Sequence, residues 1–159
     1  MTDVRVRVAD LATATEGTLS TLGLGSCIAI ALHDPVARVG GLAHILLPDV
    51  SMARDRSNPA KFAQTAVPVL VERMTALGAR KIRIRAKIAG GASMFASLLP
   101  RNALNVGERN IAATRGALAA AGIALVGEDV GSDHGRNVFL YVDDGRVEVR
   151  SLSKGIRVF

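Results

Sequence analysis

Residues 24–48 read LGSCIAIALHDPVARVGGLAHILLP, two apolar runs around a polar turn. Cys27, the only cysteine of the chain, opens the first run, and His44 lies near the end of the second. Small and β-branched residues over 27–32 and 39–46, parted by Asp34-Pro35 within the turn 33–38, predict a buried β-hairpin. If Leu32 opposes Val39, the same register sets Cys27 opposite His44, with both side chains on one face. Taken singly, the cysteine is a small hydrophobe and the histidine a packed side chain with a satisfied polar tip. Directly opposed Cβ atoms are about 4.5–5.5 Å apart, which makes the two a nucleophile and its base. Gly25 and Ser26 just before the cysteine permit a tight bend whose backbone N–H groups could hold an oxyanion. A one-residue slip would send the two side chains to opposite faces.

Outward from the hairpin, residues 4–8 and 18–22 predict strands joined by the polar connection ADLATATEG (9–17). Pro48 and DVSMARDRSN (49–58) form a connection at the rim of the site. Asn58-Pro59 predicts a helix start, continued by Phe62, Ala66, Val69, Leu70, Met74 and Leu77 and stopped at Gly78. Pro68 should kink or interrupt it. Alternation over 81–88 predicts a strand with Arg83, Arg85 and Lys87 on a solvated face. AGGAS (89–93) is then a sharp connection, with glycines for close backbone packing, and MFASLL (94–99) a short apolar element. Residues 107–121 predict a second helix with Glu108 at its positive end. Residues 123–126 return as a strand, and 137–142 with 147–152 form a closing hairpin. The tail SLSKGIRVF (151–159) fits sheet-edge pairing, a partner contact or fraying equally well. Strands interspersed with two helices and several hairpins predict one α/β domain over 1–159 with a mixed sheet.

One cysteine makes no internal disulfide, no apolar stretch approaches a membrane span, and MTDVRVRVAD is unlike a signal peptide. A cytoplasmic protein without membrane insertion is therefore expected. The formal charge of +6 raises nucleic-acid binding. Charges that alternate with apolar residues, a 3% aromatic content and the lack of a phosphate-loop pattern argue against it. Cys27, His33, His44 and His134 make a poor zinc set, because the hairpin puts His33 at its far end. No metal or organic cofactor is expected.

LGSCIAIALHDPVARVGGLAHILLP is followed in order by AKIAGGASMF (86–95), VGERNIAATRGALAAAGI (106–123) and VGEDVGSDHGRNVFL (126–140). On these segments the chain resembles the chemoreceptor glutamine deamidase family, CheD, over nearly its whole length. The resemblance implies a three-layer α/β/α sandwich with a mixed β-sheet and a catalytic hairpin. It implies hydrolysis of selected receptor glutamine side chains to glutamate, with release of ammonia. The implied partners are the cytoplasmic domains of chemoreceptors and a CheC-like phosphatase, with recruitment to membrane-bound receptor arrays. The family's nucleophile corresponds to Cys27, its histidine base to His44, and the hydroxyl supporting that histidine to Thr21. Read from the residues alone, Thr21 is a sheet or turn residue. A regulatory binding module with little turnover, a more general amidase or thiol acyltransferase, and glutamate methyl-ester hydrolysis are the alternatives.

Overall fold

The computed structural model describes residues 2–93 and 105–159, so the element expected over MFASLL lies outside the described residues. Strands β1 (Asp3–Arg5), β3 (Thr18–Leu24), β8 (Arg136–Tyr141), β9 (Val147–Ser151) and β10 (Gly155–Val158) lie side by side in that order. A second five-stranded sheet runs β2 (Leu11–Ala14), β5 (Val39–Ile45), β4 (Ile28–Asp34), β6 (Arg85–Gly90) and β7 (Ala124–Val130). Both sheets are mixed, since β1 pairs with β3 and β6 with β7 in parallel while their other neighbours are antiparallel.

Every residue of β4 and β5 is buried, so these central strands need an apolar cover on both faces. One cover is α1 (Ala63–Ala76) with α2 (Val106–Ala120), packed on Ile28, Ile30, Leu32, Ala43 and Ile45. The other is the first sheet, whose Leu19, Leu24, Val138 and Leu140 meet Ala29, Ala31 and Leu42. The α/β class and the mixed pairing stand, but among the described residues the layers run helix, sheet, sheet rather than α/β/α. On the outer face of the first sheet Asn137, Glu148 and Arg150 are polar, and the rings of Phe139 and Tyr141 are covered by the guanidinium groups of Arg150 and Arg146, so no helical cover is required.

Local differences have local causes. The stretch expected as a connection, 9–17, contains β2, which supplies β5 with an edge partner. Asn58 caps the 3-10 turn Pro59–Lys61, its side chain accepting from Ala60 N at 3.0 Å, and α1 starts only at Ala63. Within α1, Pro68 is accommodated without a break, at the cost of the one backbone bond its missing N–H would have made to Gln64 O. Lys81–Arg83 is a 3-10 turn instead of the start of a strand, and β6 begins at Arg85. Lys87 is half-buried rather than solvated, and its Nζ donates to Gly145 O and Phe159 O, each at 2.9 Å. The tail pairs with β9 as the edge strand β10. Among the described residues, no helix is long and apolar enough to cross a membrane.

The hairpin register also departs from expectation. Asp34 opposes Val39 and Leu32 opposes Gly41, so β4 runs two residues further toward the turn than the sequence pattern suggests. The cause is the Asp34 carboxylate, which is fully buried. It accepts from the turn N–H groups of Val36 and Ala37 at 2.9 and 3.0 Å, from Arg80 N at 2.8 Å and from Arg83 Nε at 3.0 Å. These donors hold His33 and Asp34 in the ladder and leave a four-residue turn. Burial by itself would raise the carboxyl pKa, but the hydrogen bonds from Arg80, Ala37, Arg83 and Val36 hold it at about 2.

Asp34→Asn should therefore lower stability by about 2–3 kcal/mol, measured by urea unfolding at pH 7. A folded pKa of about 2 lies below the unfolded value near 3.9, so the carboxylate's contribution is complete above about pH 4 and is lost as pH falls toward 2. The wild-type unfolding midpoint should drop across that window more steeply than the variant's.

Candidate active site

Side chains alternate between the faces of a strand, so the register decides what points into the seam between the sheets. In β5 the odd positions face the helices and the even ones face the first sheet: Gly41 abuts Leu70 and Met74, and Gly40 abuts Leu140 and Val142. His44 consequently points into the seam, where it lies against β3. In β4 the seam-facing residues are Ala29, Ala31 and, at the far end, His33, and Cys27, just before the strand, packs against the same inter-sheet cluster. His44 opposes Ala29, not Cys27. The two-residue displacement preserves the face and places Cys27 two residues along the chain from Ala29, the partner of His44, one residue beyond the end of the ladder.

Thr21 and His44 are both fully buried, and Thr21 Oγ1 lies 2.7 Å from His44 Nδ1 and 2.7 Å from Val6 O. A threonine hydroxyl has one proton. Because the Val6 carbonyl can only accept, that proton is donated to Val6 O, and Thr21 Oγ1 must accept from the imidazole Nδ1–H. The neutral tautomer follows: Nδ1 carries the proton and Nε2 carries the lone pair. Among the described residues, Nε2 has no hydrogen-bond partner. Burial pushes the imidazole pKa below its ordinary value, which keeps the ring neutral near pH 7.

Cys27 is half-buried, and burial pushes its thiol pKa up, with its own backbone N–H offsetting part of the rise. A raised thiol and a lowered imidazole leave both groups neutral at rest rather than as a preformed ion pair. The loop around the cysteine is held by backbone bonds from the AGGAS stretch: Gly91 N to Cys27 O at 2.8 Å and Ala92 N to Gly25 O at 2.9 Å. Gly90, at φ 113°, comes so close that a Cβ there would strike the Cys27 carbonyl oxygen. The glycines of AGGAS thus serve close backbone packing. Among the described residues, the N–H groups of Gly25, Ser26 and Cys27 have no backbone acceptor.

Other candidates fall elsewhere. His33, at the far end of β4, lies 2.7 Å from Val142 O through Nε2. His134 is half-buried in the loop after β7, and its pKa is lowered by burial and by Arg136. The sequence reading passed over Asn110, which is fully buried in α2 and reaches the cysteine loop. The signal for it was present: an amide placed four residues before Thr114 on the stripe Gly107, Ile111, Thr114, Leu118 that the helix buries.

A family profile described as CheD chemotactic sensory transduction matches residues 46–151. A relative from Caldanaerobacter subterraneus subsp. tengcongensis, named "Probable chemoreceptor glutamine deamidase CheD", is 44% identical over 155 residues, 97% of this chain and 96% of its own. Relatives with the same name from Moorella thermoacetica and Pyrococcus horikoshii are 48% and 40% identical. They cover 89% and 98% of this chain, and 86% and 96% of their own lengths. A Bacillus licheniformis hypothetical protein, YfiH, aligns structurally over 78% of this chain and 51% of its own, with a TM-score of 0.49 and 15% identity.

The hydrogen-bond chain can be read by nitrogen NMR of the histidine ring. In the wild type His44 should show a protonated Nδ1 and a bare Nε2, and should begin to protonate only below the ordinary histidine range near pH 6.5. Thr21→Val should mix the tautomers and cost about 1–3 kcal/mol, since it leaves the imidazole Nδ1–H and the Val6 carbonyl without their shared partner.

Proposed function

The chain belongs to the CheD family, and on that premise we propose that it hydrolyses glutamine side chains in the cytoplasmic domains of chemoreceptors to glutamate, with release of ammonia. The supporting observation is the Val6–Thr21–His44 chain, which leaves a bare imidazole Nε2 in the seam on the face that Cys27 shares. In this reading Cys27 is the nucleophile, His44 its base, and Thr21 the group that holds the base in its useful tautomer.

The chemistry runs in two halves. His44 Nε2 takes the thiol proton as Sγ attacks the amide carbon, and the carbonyl π bond becomes an oxyanion held by N–H groups of the Gly25–Ser26–Cys27 bend. The intermediate collapses with cleavage of the C–N bond, the imidazolium protonating the departing nitrogen as ammonia and leaving a thioester on Cys27. His44 then draws a proton from water, whose oxygen attacks the thioester; collapse expels the Cys27 thiolate, which takes the proton back from the imidazolium, leaving the carboxylic acid and the neutral pair. Water supplies the atoms that enter, so no metal or organic cofactor is needed. Because both partners rest neutral, the thiol proton has to pass to His44 before the tetrahedral intermediate is complete.

The family resemblance carries a second partner, a CheC-like phosphatase, and this is tested by co-purification with the Cys27→Ala protein. A binding-only module would retain that association while producing no ammonia from the receptor.

The direct test incubates purified protein with a cytoplasmic receptor fragment and measures ammonia together with the mass gain of about one dalton per converted glutamine. Cys27→Ala, Cys27→Ser and His44→Ala should each reduce conversion by at least about 1,000-fold while remaining folded. Ammonia release unchanged in Cys27→Ala would overturn the covalent route. Thr21→Ala should lose about 10- to 100-fold, an orientation effect. With its pKa lowered, His44 stays an effective base at neutral pH, so kcat/KM should hold across pH 7 and fall as acid drives the pH down through that lowered value.

A further inference from the structure

The β4–β5 ladder ends at the rung Ile28–Ile45. The next rung would bring Cys27 beside Leu46, but the chains part there: Leu46 N turns to Lys61 O at 2.8 Å. Into this gap α2 delivers a single polar side chain. Asn110 Nδ2 donates to Ser26 O at 2.8 Å and to Leu46 O at 3.2 Å, which uses both of its amide protons. The approach depends on Gly107 one turn earlier, where a Cβ would collide with the carbonyl oxygens of Gly91 and Ala92. Asn110 is 0% exposed, and its Oδ1 has no donor among the described residues. An unmet buried acceptor is costly, so this amide is a poor filler for a stripe otherwise packed by Ile111 and Leu118. Its donors have a local task.

That task follows from peptide geometry. In a trans peptide the C=O and the following N–H point in opposite directions. Anchoring Ser26 O to Asn110 therefore turns the Cys27 N–H, which belongs to the same peptide, away from α2. On the other side of the residue, Cys27 O is held by Gly91 N. Both peptide planes that flank the cysteine are thus fixed, one by a side chain and one by backbone.

Resting on the deamidase reading above, we propose that Asn110 is a positioning residue: its carboxamide, bridging Ser26 O and Leu46 O, aims the Cys27 N–H at the oxyanion that forms beside Sγ. It touches neither substrate nor thiol. Removing it should weaken transition-state stabilisation while leaving receptor binding and the thiol's own nucleophilicity in place. Asn110→Asp is the informative variant, because it keeps size and shape and removes both donors; Asn110→Ala is the second.

The test compares wild type, Cys27→Ala and the two Asn110 variants in three measurements: kcat and KM for ammonia release from a receptor fragment, thermal unfolding, and the rate of Cys27 alkylation by iodoacetamide. Alkylation joins Sγ to carbon with loss of iodide and forms no oxyanion, so it reports the thiol and His44 without the N–H donor. The expected result is a fall in kcat of roughly 100-fold, with KM within about 3-fold and alkylation unchanged, in a folded variant. A kcat within about 3-fold of wild type, a loss that appears in KM alone, or parallel losses of kcat and alkylation would each overturn the proposal. So would failure of both variants to fold, which would make Asn110 a brace of the fold. If wild type releases no Cys27-dependent ammonia from any receptor fragment, the deamidase reading fails and this inference with it, an outcome distinct from a fully active Asn110 variant.

Discussion

A buried carboxylate sets the frame in which everything else is placed. Asp34 ends β4 fully inside the protein, and four donors converge on it: two from its own turn and two from the Arg80–Arg83 segment. Charge-assisted bonds of this kind are strong where water is excluded, and an unpaired carboxylate in the same place would be severely destabilising. The four donors admit one turn length and therefore one register for β4 against β5. From that register follow the rungs that pair the two strands, and with them the place of His44 opposite Ala29.

The seam itself exists because β4 and β5 are apolar on both faces. A sheet with a single cover would leave Ala29, Ala31 and Leu42 in water; the first sheet buries them with Leu19, Leu24, Val138 and Leu140. A histidine and a threonine at the end of this apolar layer are removed from solvent, which makes the Val6–Thr21–His44 chain obligatory for their polar atoms and fixes the tautomer. The same burial holds the imidazole neutral. Cys27 lies where the layer opens, half-covered, on a bend whose carbonyls are gripped by Gly91, Ala92 and Asn110. Rigid neighbours on every side are what such a bend needs if its N–H groups are to keep their direction.

Much of this was legible in the chain. The hairpin, both helices, the closing hairpin and the α/β class all follow from periodicity and turn residues, and Cys27 with His44 stands out by chemistry alone. Thr21 was visible only through the family resemblance, because nothing local to a threonine in a strand announces a bond 23 residues away. The strand β2 escaped notice since Leu11 is the one strongly apolar residue in its four, and its pairing is dictated by the exposed edge of β5 rather than by its own composition. Residues Lys81–Arg83 alternate as a strand should, yet Asp34 draws Arg80 and Arg83 inward and winds them into a turn.

Sequence by itself determined the elements and their amphipathic character, since propensity, turn chemistry and hydrophobic period act over a few residues and are written there directly. It also determined that a cysteine and a histidine would share one face of a hairpin, because side-chain alternation depends only on parity and survives a displacement of two. Tertiary structure alone decided the register, the stacking of sheet on sheet, the tautomer of His44 and the arrival of Asn110 at the Ser26 carbonyl. Each of these is fixed by a partner far along the chain, and the free energy that selects it arises only when buried polar groups must find one another in a space that water has left.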